Sequence, residues 1–204
     1  MAEPAYPRSL PDREDGRNWP AQGQWTYEDY LRLPGDGNRY EVIRGVLYVT
    51  PAPAYLHQFS VVKLTRFFDE FVSDNELGVV LSAPFDIKLP FGIASPVQPD
   101  LVVFRSGNEP RWDDKNFKGI PDLVVEVLSR STKSRDRRIK FEAYQDAGVP
   151  EYWMVDPDAR TVMVYALKGK RYTELCRGGE GEKVRSAVLA GFELAVAGLF
   201  PRRA

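Results

Sequence analysis

The sequence predicts a single α/β domain, of the α+β kind in which a mixed β-sheet is flanked by helices, and three observations support it. Apolar residues fall at helical spacing from about Tyr55 to Ser73. Short β-like runs follow, and Val97–Phe104 and Leu123–Leu128 are almost wholly apolar, the pattern of strands buried on both faces. A chain of 204 residues with 43% apolar and 28% charged side chains suits one core better than two.

The elements follow in order. Residues 1–23 are rich in Pro, Arg, Asp, Glu and Gly without apolar periodicity and read as a disordered extension, which leaves 24–204 as the domain. Thr26 followed three residues later by Asp29 resembles a weak capping box for a short helix that Pro34-Gly35-Asp36-Gly37 breaks. Arg39 to Thr50 reads as a hairpin turning at Arg44-Gly45. Val61, Leu64, Phe68 and Val72 then mark the apolar stripe of a long helix. Strands are expected over Gly78–Leu89, Val97–Phe104 and Leu123–Leu128, and a second helix over Thr132–Ala147, ended by Gly148 and Pro150. Glu151–Val155 and Thr161–Leu167 read as a hairpin around Asp156-Pro157-Asp158-Ala159, extended by a strand near Arg171–Cys176. Strands and helices are expected to share one core.

Composition narrows the chemistry. With a formal net charge of −1, any nucleic-acid site has to be a local patch. Cys176 is the only cysteine, which excludes an internal disulfide framework and a cysteine-based metal centre within one chain and fits a reducing compartment. No leader-like segment and no apolar run of membrane-spanning length is visible, so a cytoplasmic location without membrane association is expected. His57 is the only histidine, so a metal site would rest on carboxylate and backbone oxygens, which favours Mg²⁺ or Mn²⁺ over zinc.

The informative feature is a pair of similar segments, Gln98-Pro99-Asp100-Leu101-Val102-Val103-Phe104 and Ile120-Pro121-Asp122-Leu123-Val124-Val125-Glu126-Val127-Leu128. Asp100 stands at a strand entrance, where an Asp after Pro often does no more than turn the chain. Glu126 lies inside a Val/Leu run, where an ionised carboxylate is costly unless a cation or a buried ion pair neutralises it. A divalent cation would neutralise both. Asp122 reads as a capping or turning residue outside the site.

Just downstream, Arg130, Lys133, Arg135, Arg137, Arg138 and Lys140 set six basic residues against the single acidic Asp136. On a helix Lys133, Arg137, Lys140 and Tyr144 share a stripe that would face a phosphate, while Ile139, Ala143 and Ala147 share one that packs. The plain alternative is a solvated charged face. His57, near the start of its helix, reads as a packed or supporting group, and Glu41, between Tyr40 and Val42, as a strand residue.

Together the segments Pro99-Asp100, Pro121 through Ser129, Arg135-Asp136-Arg137, Lys140, Tyr144 and Gly148 through Pro157 resemble the Uma-two family of putative restriction endonucleases, as do Tyr40 to Gly45, His57-Gln58 and Ala83 to Ile87. The resemblance implies the restriction-endonuclease-like, PD-(D/E)XK fold, with Asp100 and Glu126 as the metal-holding pair. It places Leu128 where that superfamily usually has its lysine, and Lys140, on the following helix, as the substitute, with Lys133 in reserve. Glu41 matches an additional acidic position.

The function expected is Mg²⁺- or Mn²⁺-dependent hydrolysis of DNA, with Asp100, Glu126, Lys140 and Glu41 in the catalytic site and Arg130, Lys133, Arg135, Arg137 and Arg138 on the backbone phosphates. His57 and Tyr144 would support the site. The sequence does not fix the oligomeric state, but nucleases of the fold that the resemblance implies often act as homodimers because two strands must be cut. The alternative is a catalytically silent nuclease-fold domain that binds nucleic acid or a protein. A two-carboxylate glycosidase is a third class, and it would need its carboxylates apart across a sugar cleft.

Overall fold

A computed structural model of the chain describes residues 19–50, 52–108, 112–113, 116–129 and 136–202. A short helix, α1 (Tyr27–Tyr30), begins with the Thr26 capping box, whose Oγ1 accepts from the Asp29 N–H while the Asp29 carboxylate accepts from Thr26. The β1 (Arg39–Ile43) and β2 (Val46–Thr50) hairpin turns at Arg44-Gly45 as expected. Gly45 has φ 72°, and a Cβ there would collide with the carbonyl of Gly23, whose N–H donates back to the Gly45 carbonyl at 2.8 Å. That close approach ties the N-terminal segment to the hairpin.

The next elements are α2 (Tyr55–Asp74), β3 (Gly78–Ser82), β4 (Asp86–Leu89), β5 (Ala94–Val97), β6 (Leu101–Arg105), β7 (Trp112–Asp113), β8 (Asn116–Lys118) and β9 (Leu123–Val127). A π turn over Asp136–Lys140 leads into α3 (Phe141–Ala147), and β10 (Glu151–Asp156), β11 (Thr161–Lys168), β12 (Arg171–Gly178), β13 (Lys183–Arg185), β14 (Glu193–Ala195) and a closing 3-10 turn follow. Two six-stranded sheets result, ordered β12-β11-β10-β9-β6-β3 and β2-β1-β5-β4-β8-β7, with β13 and β14 as a separate pair.

Strands β9 and β10 run parallel, with Met154 opposite Glu126. A parallel pair needs a crossover, and the π turn with α3 supplies it. Gly148, at φ 86°, ends α3 in the left-handed conformation that glycine adopts without a Cβ penalty.

Alternation along β9 sends Leu123, Val125 and Val127 toward α2, where they join Leu64, Phe68 and Val72. Val124 and Leu128 point the other way, against Ala143, Tyr144 and Ala147 of α3 and the apolar residues of the second sheet. Glu126 has the parity of Val124 and so faces α3. Among the described residues the interior is therefore two large clusters on opposite faces of one sheet, because β9 is apolar on both faces, with a third, smaller one around Trp25, Tyr40, Val42 and Leu47, and not the single shared core expected.

Four further differences have physical causes. The run Gly78–Leu89 is two strands in different sheets, because Pro84 cannot continue the ladder and the chain leaves β3 there. Val97–Phe104 divides between β5 and β6 at Pro99 for the same reason. Helix α3 starts at Phe141, since the preceding turn has π geometry, and the part of the expected helix at 132–135 lies outside the described residues. Trp19, expected in the disordered extension, is half-buried: it stacks on Trp25 at 5.5 Å and packs against the Tyr40, Val42 and Leu47 cluster. Residues 1–18 of that extension lie outside the described ones. Among the described residues no helix is long and apolar enough to cross a membrane.

Candidate active site

Strands β6 and β9 pair antiparallel with Leu101 opposite Val125, so the register carried one step outward sets Asp100 against Glu126. Cross-strand partners stand roughly 5 Å apart at Cβ, which places two carboxylates side by side. Both are 2% exposed. The Val127 N–H donates to Asp100 Oδ2 at 2.9 Å, which pins the Asp100 side chain at the end of the β9 ladder.

Three other elements complete the cluster. From the first turn of α2, His57 Nε2 meets Asp100 Oδ2 at 3.1 Å, and from the start of β1, Arg39 NH1 meets Asp100 Oδ1 at 3.0 Å and the Gln98 carbonyl at 3.2 Å. From the end of the π turn, Lys140 Nζ lies 2.7 Å from Glu126 Oε1 and 2.8 Å from Glu41 Oε1. The Tyr144 hydroxyl donates to Glu126 Oε1 at 2.7 Å, and the Gln98 N–H donates to Glu41 Oε1 at 2.8 Å. Lys140 is 1% exposed and Glu41 fully buried.

Glu126 is neutralised by a buried ion pair, and the lysine that makes it is the one the resemblance singles out. Lys140 and Tyr144 do share a stripe, but it is buried against Glu126 instead of forming an exposed face of the helix. Because the crossover packs α3 on the face of β9 that carries Glu126, the residues one turn apart at 140 and 144 both reach it.

Electrostatics follow from the packing. Burial by itself would push the Asp100 carboxyl upward; the His57 hydrogen bond and the charges of His57, Arg39 and Lys140 outweigh it and hold Asp100 well below the usual carboxylate range. Burial, with the Glu126 and Glu41 charges, pushes the Tyr144 hydroxyl well up, so it stays a donor. For Asp100, whose folded value is depressed, the unfolded chain binds the extra proton in acid. Its contribution to stability is thus complete above the unfolded value of about 4 and is lost as pH falls through the folded value. Asp100→Asn is expected to flatten the acid limb of stability against pH below about pH 4. Urea unfolding at a series of pH values checks it, and an acid limb of unchanged slope would contradict the assignment.

The donor set suits a hard cation. Among the described residues no group of three or more Asp, Glu, His or Cys side chains is placed to hold a metal ion, so a cation there would rest on the Asp100–Glu126 pair alone. Mg²⁺ is commonly held that way, by one or two carboxylates with water and substrate oxygens completing its shell. The two carboxylates stand on adjacent strands, not across a cleft, which disfavours the glycosidase geometry.

The remaining expected residues fall as follows. Arg137 and Arg138 are exposed, and Arg137 NH2 pairs with Asp156 Oδ2 at 3.0 Å. Arg130, Lys133 and Arg135 lie outside the described residues. Asp122 accepts from the Arg105 N–H at 2.9 Å and from Asn108 Nδ2 at 2.8 Å, a local structural role away from the cluster. Leu128 is 4% exposed and packs among apolar side chains. Arg39 and Gln98 were not foreseen, because a strand-opening Arg and a Gln before Pro carry no local signal of their own.

A family model described as "Putative restriction endonuclease", that of the Uma-two family, matches residues 27–197. No curated protein matches the chain. Among solved structures, a putative nuclease belonging to DUF820 from Anabaena variabilis is similar at TM-score 0.71 and 20% identity, over 86% of this chain and 97% of that one. The fold is thus the mixed α/β fold of that nuclease. With the family match running from α1 into the closing 3-10 turn, the chain belongs to the Uma-two family of putative restriction endonucleases.

Proposed function

We propose that the chain is a Mg²⁺- or Mn²⁺-dependent endonuclease that hydrolyses DNA phosphodiester bonds at the Asp100–Glu126 cluster. The observation that carries this reading is Lys140: it comes from the crossover, yet its Nζ sits within hydrogen-bond distance of both Glu126 and Glu41. It can therefore serve where Leu128 cannot. Asp100 and Glu126 would hold the metal ion, which, when bound, polarises the phosphate and lowers the pKa of an attacking water. Lys140 offers its ammonium to the charge that develops on the phosphate oxygens. Glu41, Gln98 and Tyr144 keep Lys140 and Glu126 in place, and Arg39 and His57 fix the two Asp100 oxygens. Arg137 and Arg138, with Arg130, Lys133 and Arg135, would contact backbone phosphates without reading sequence. Cutting both strands needs two such sites, which a homodimer would supply.

The test is cleavage of supercoiled plasmid with Mg²⁺ or Mn²⁺. Wild type is expected to nick or linearise it, and Asp100→Ala and Glu126→Ala each to slow that by about a hundredfold or more. Cleavage at the wild-type rate in both variants would sink the assignment.

A second reading, a silent nuclease-fold domain that binds nucleic acid or a protein, is favoured by one observation. Both Asp100 oxygens are already engaged by Arg39, His57 and the Val127 N–H. DNA binding without cleavage in either metal would select it.

A further inference from the structure

Between α2 and the C-terminal segment lies an open groove of about 620 Å³, lined among others by Phe59, Lys63, Arg160, Phe200 and Arg202. It lies outside the carboxylate cluster, at the same end of the sheet but on its opposite face, since Phe200 belongs to the apolar cluster under α2 whereas Glu126 faces α3. Strands β9 and β10 run parallel and finish together, Arg160 closes the turn that follows β10, and Phe59 and Lys63 follow His57 along α2. Ser60 Oγ donates to the Leu199 carbonyl at 3.1 Å, which fixes the C-terminal segment against the start of α2 and sets the width of the groove.

Its charge is one-sided. Lys63, Arg160 and Arg202 face a single acidic lining residue, Glu180. Two of the cations are seated on phenyl rings: Lys63 Nζ lies 5.4 Å from the centre of Phe59, and the Arg160 guanidinium 5.2 Å from that of Phe200. Cation–π seating holds a charged head along the wall and lowers the entropy cost of recruiting it to a ligand. Arg160 adopts φ 52°, a left-handed conformation that favours glycine or asparagine, and it is held there by its ion pair with Glu180 and a 2.9 Å bond to the Pro201 carbonyl.

Resting on the nuclease reading above, we propose that this groove is a second DNA contact, which takes the sugar-phosphate backbone flanking the site through Lys63 and Arg202, with Arg160 as its fixed wall. The contact is independent of sequence and of the Arg130–Arg138 run.

The experiment is fluorescence anisotropy of the full chain with a labelled mixed-sequence duplex across a salt series, in EDTA so that no cleavage intervenes. Lys63→Gln/Arg202→Gln is compared with Lys168→Gln/Lys170→Gln, which makes the same charge change at the β11–β12 turn, the opposite end of the sheet. The groove variant is expected to weaken binding by about tenfold at low salt and to make the log K against log salt slope shallower by about 2, with the control variant at wild-type values. Equal binding and slope in wild type and groove variant, with wild type binding well, overturns the groove and leaves the nuclease reading standing. An equal loss in the control variant overturns it too, as that marks a general charge effect. Absence of duplex binding by wild type overturns the groove together with the DNA substrate. Thermal denaturation of each variant at the wild-type temperature shows that the fold is kept.

Discussion

Lys140→Met is expected to destabilise the protein by about 3–5 kcal/mol and to abolish cleavage, the largest combined effect of any single substitution in the cluster. Lys140 is 1% exposed and lies between Glu41 and Glu126. Methionine matches its length, so little packing is lost, but two buried carboxylates then lose their cation. Protonation of one of them is the cheapest relief, so the loss should be smaller in acid than at neutral pH. Adding Glu126→Gln to Lys140→Met should recover part of the stability, because the second change removes one orphaned charge, but should recover none of the cleavage. Chemical denaturation of the two single variants and the double variant measures this coupling. Strictly additive losses would mean that Lys140 and Glu126 do not form the pair described.

Glu151→Ala separates structure from chemistry. Glu151 is as buried as the site carboxylates, but its carboxylate accepts from Trp153 Nε1 at 2.6 Å, Ser186 Oγ at 2.7 Å, the Ala187 N–H at 2.6 Å and the Val188 N–H at 3.1 Å. It fastens the segment before β14 onto β10. Truncation leaves several buried donors without an acceptor, at a cost of about 3 kcal/mol or more. For a chain of this size that lowers Tm by roughly 10 °C. Cleavage measured well below the new Tm should stay at the wild-type rate. A variant that keeps its Tm but loses cleavage would move Glu151 into the site.

The two kinds of buried glutamate show what the sequence could reveal. Glu126 is legible because an ionisable group inside Val124-Val125 and Val127-Leu128 demands a partner, and that partner exists. Glu151 has no such surroundings in sequence; apart from Trp153, its donors come from residues 186–188, brought to it only by the fold. Asp100 reads as an ordinary turn residue, and only the resemblance and then the β6–β9 register bring it beside Glu126. The helical period rightly paired Lys140 with Tyr144, but not the direction of their stripe. That direction is set by the parallel crossover, which presses α3 onto the Glu126 face. Arg39 and Gln98 needed tertiary structure, since both act at the ends of strands from the second sheet. The sheet boundary at Pro84 was marked in the sequence by a residue that cannot continue a ladder, although an apolar run continued on both sides of it.

The most direct test of the carboxylate pair as a metal centre is Mn²⁺ binding, followed by electron paramagnetic resonance of the free ion during titration. Wild type is expected to take up Mn²⁺ at one site per chain, with Mg²⁺ competing, and both Asp100→Asn and Glu126→Gln to lose that site while keeping the fold. Uptake of equal stoichiometry and affinity in wild type and both variants, or none in wild type, would contradict it.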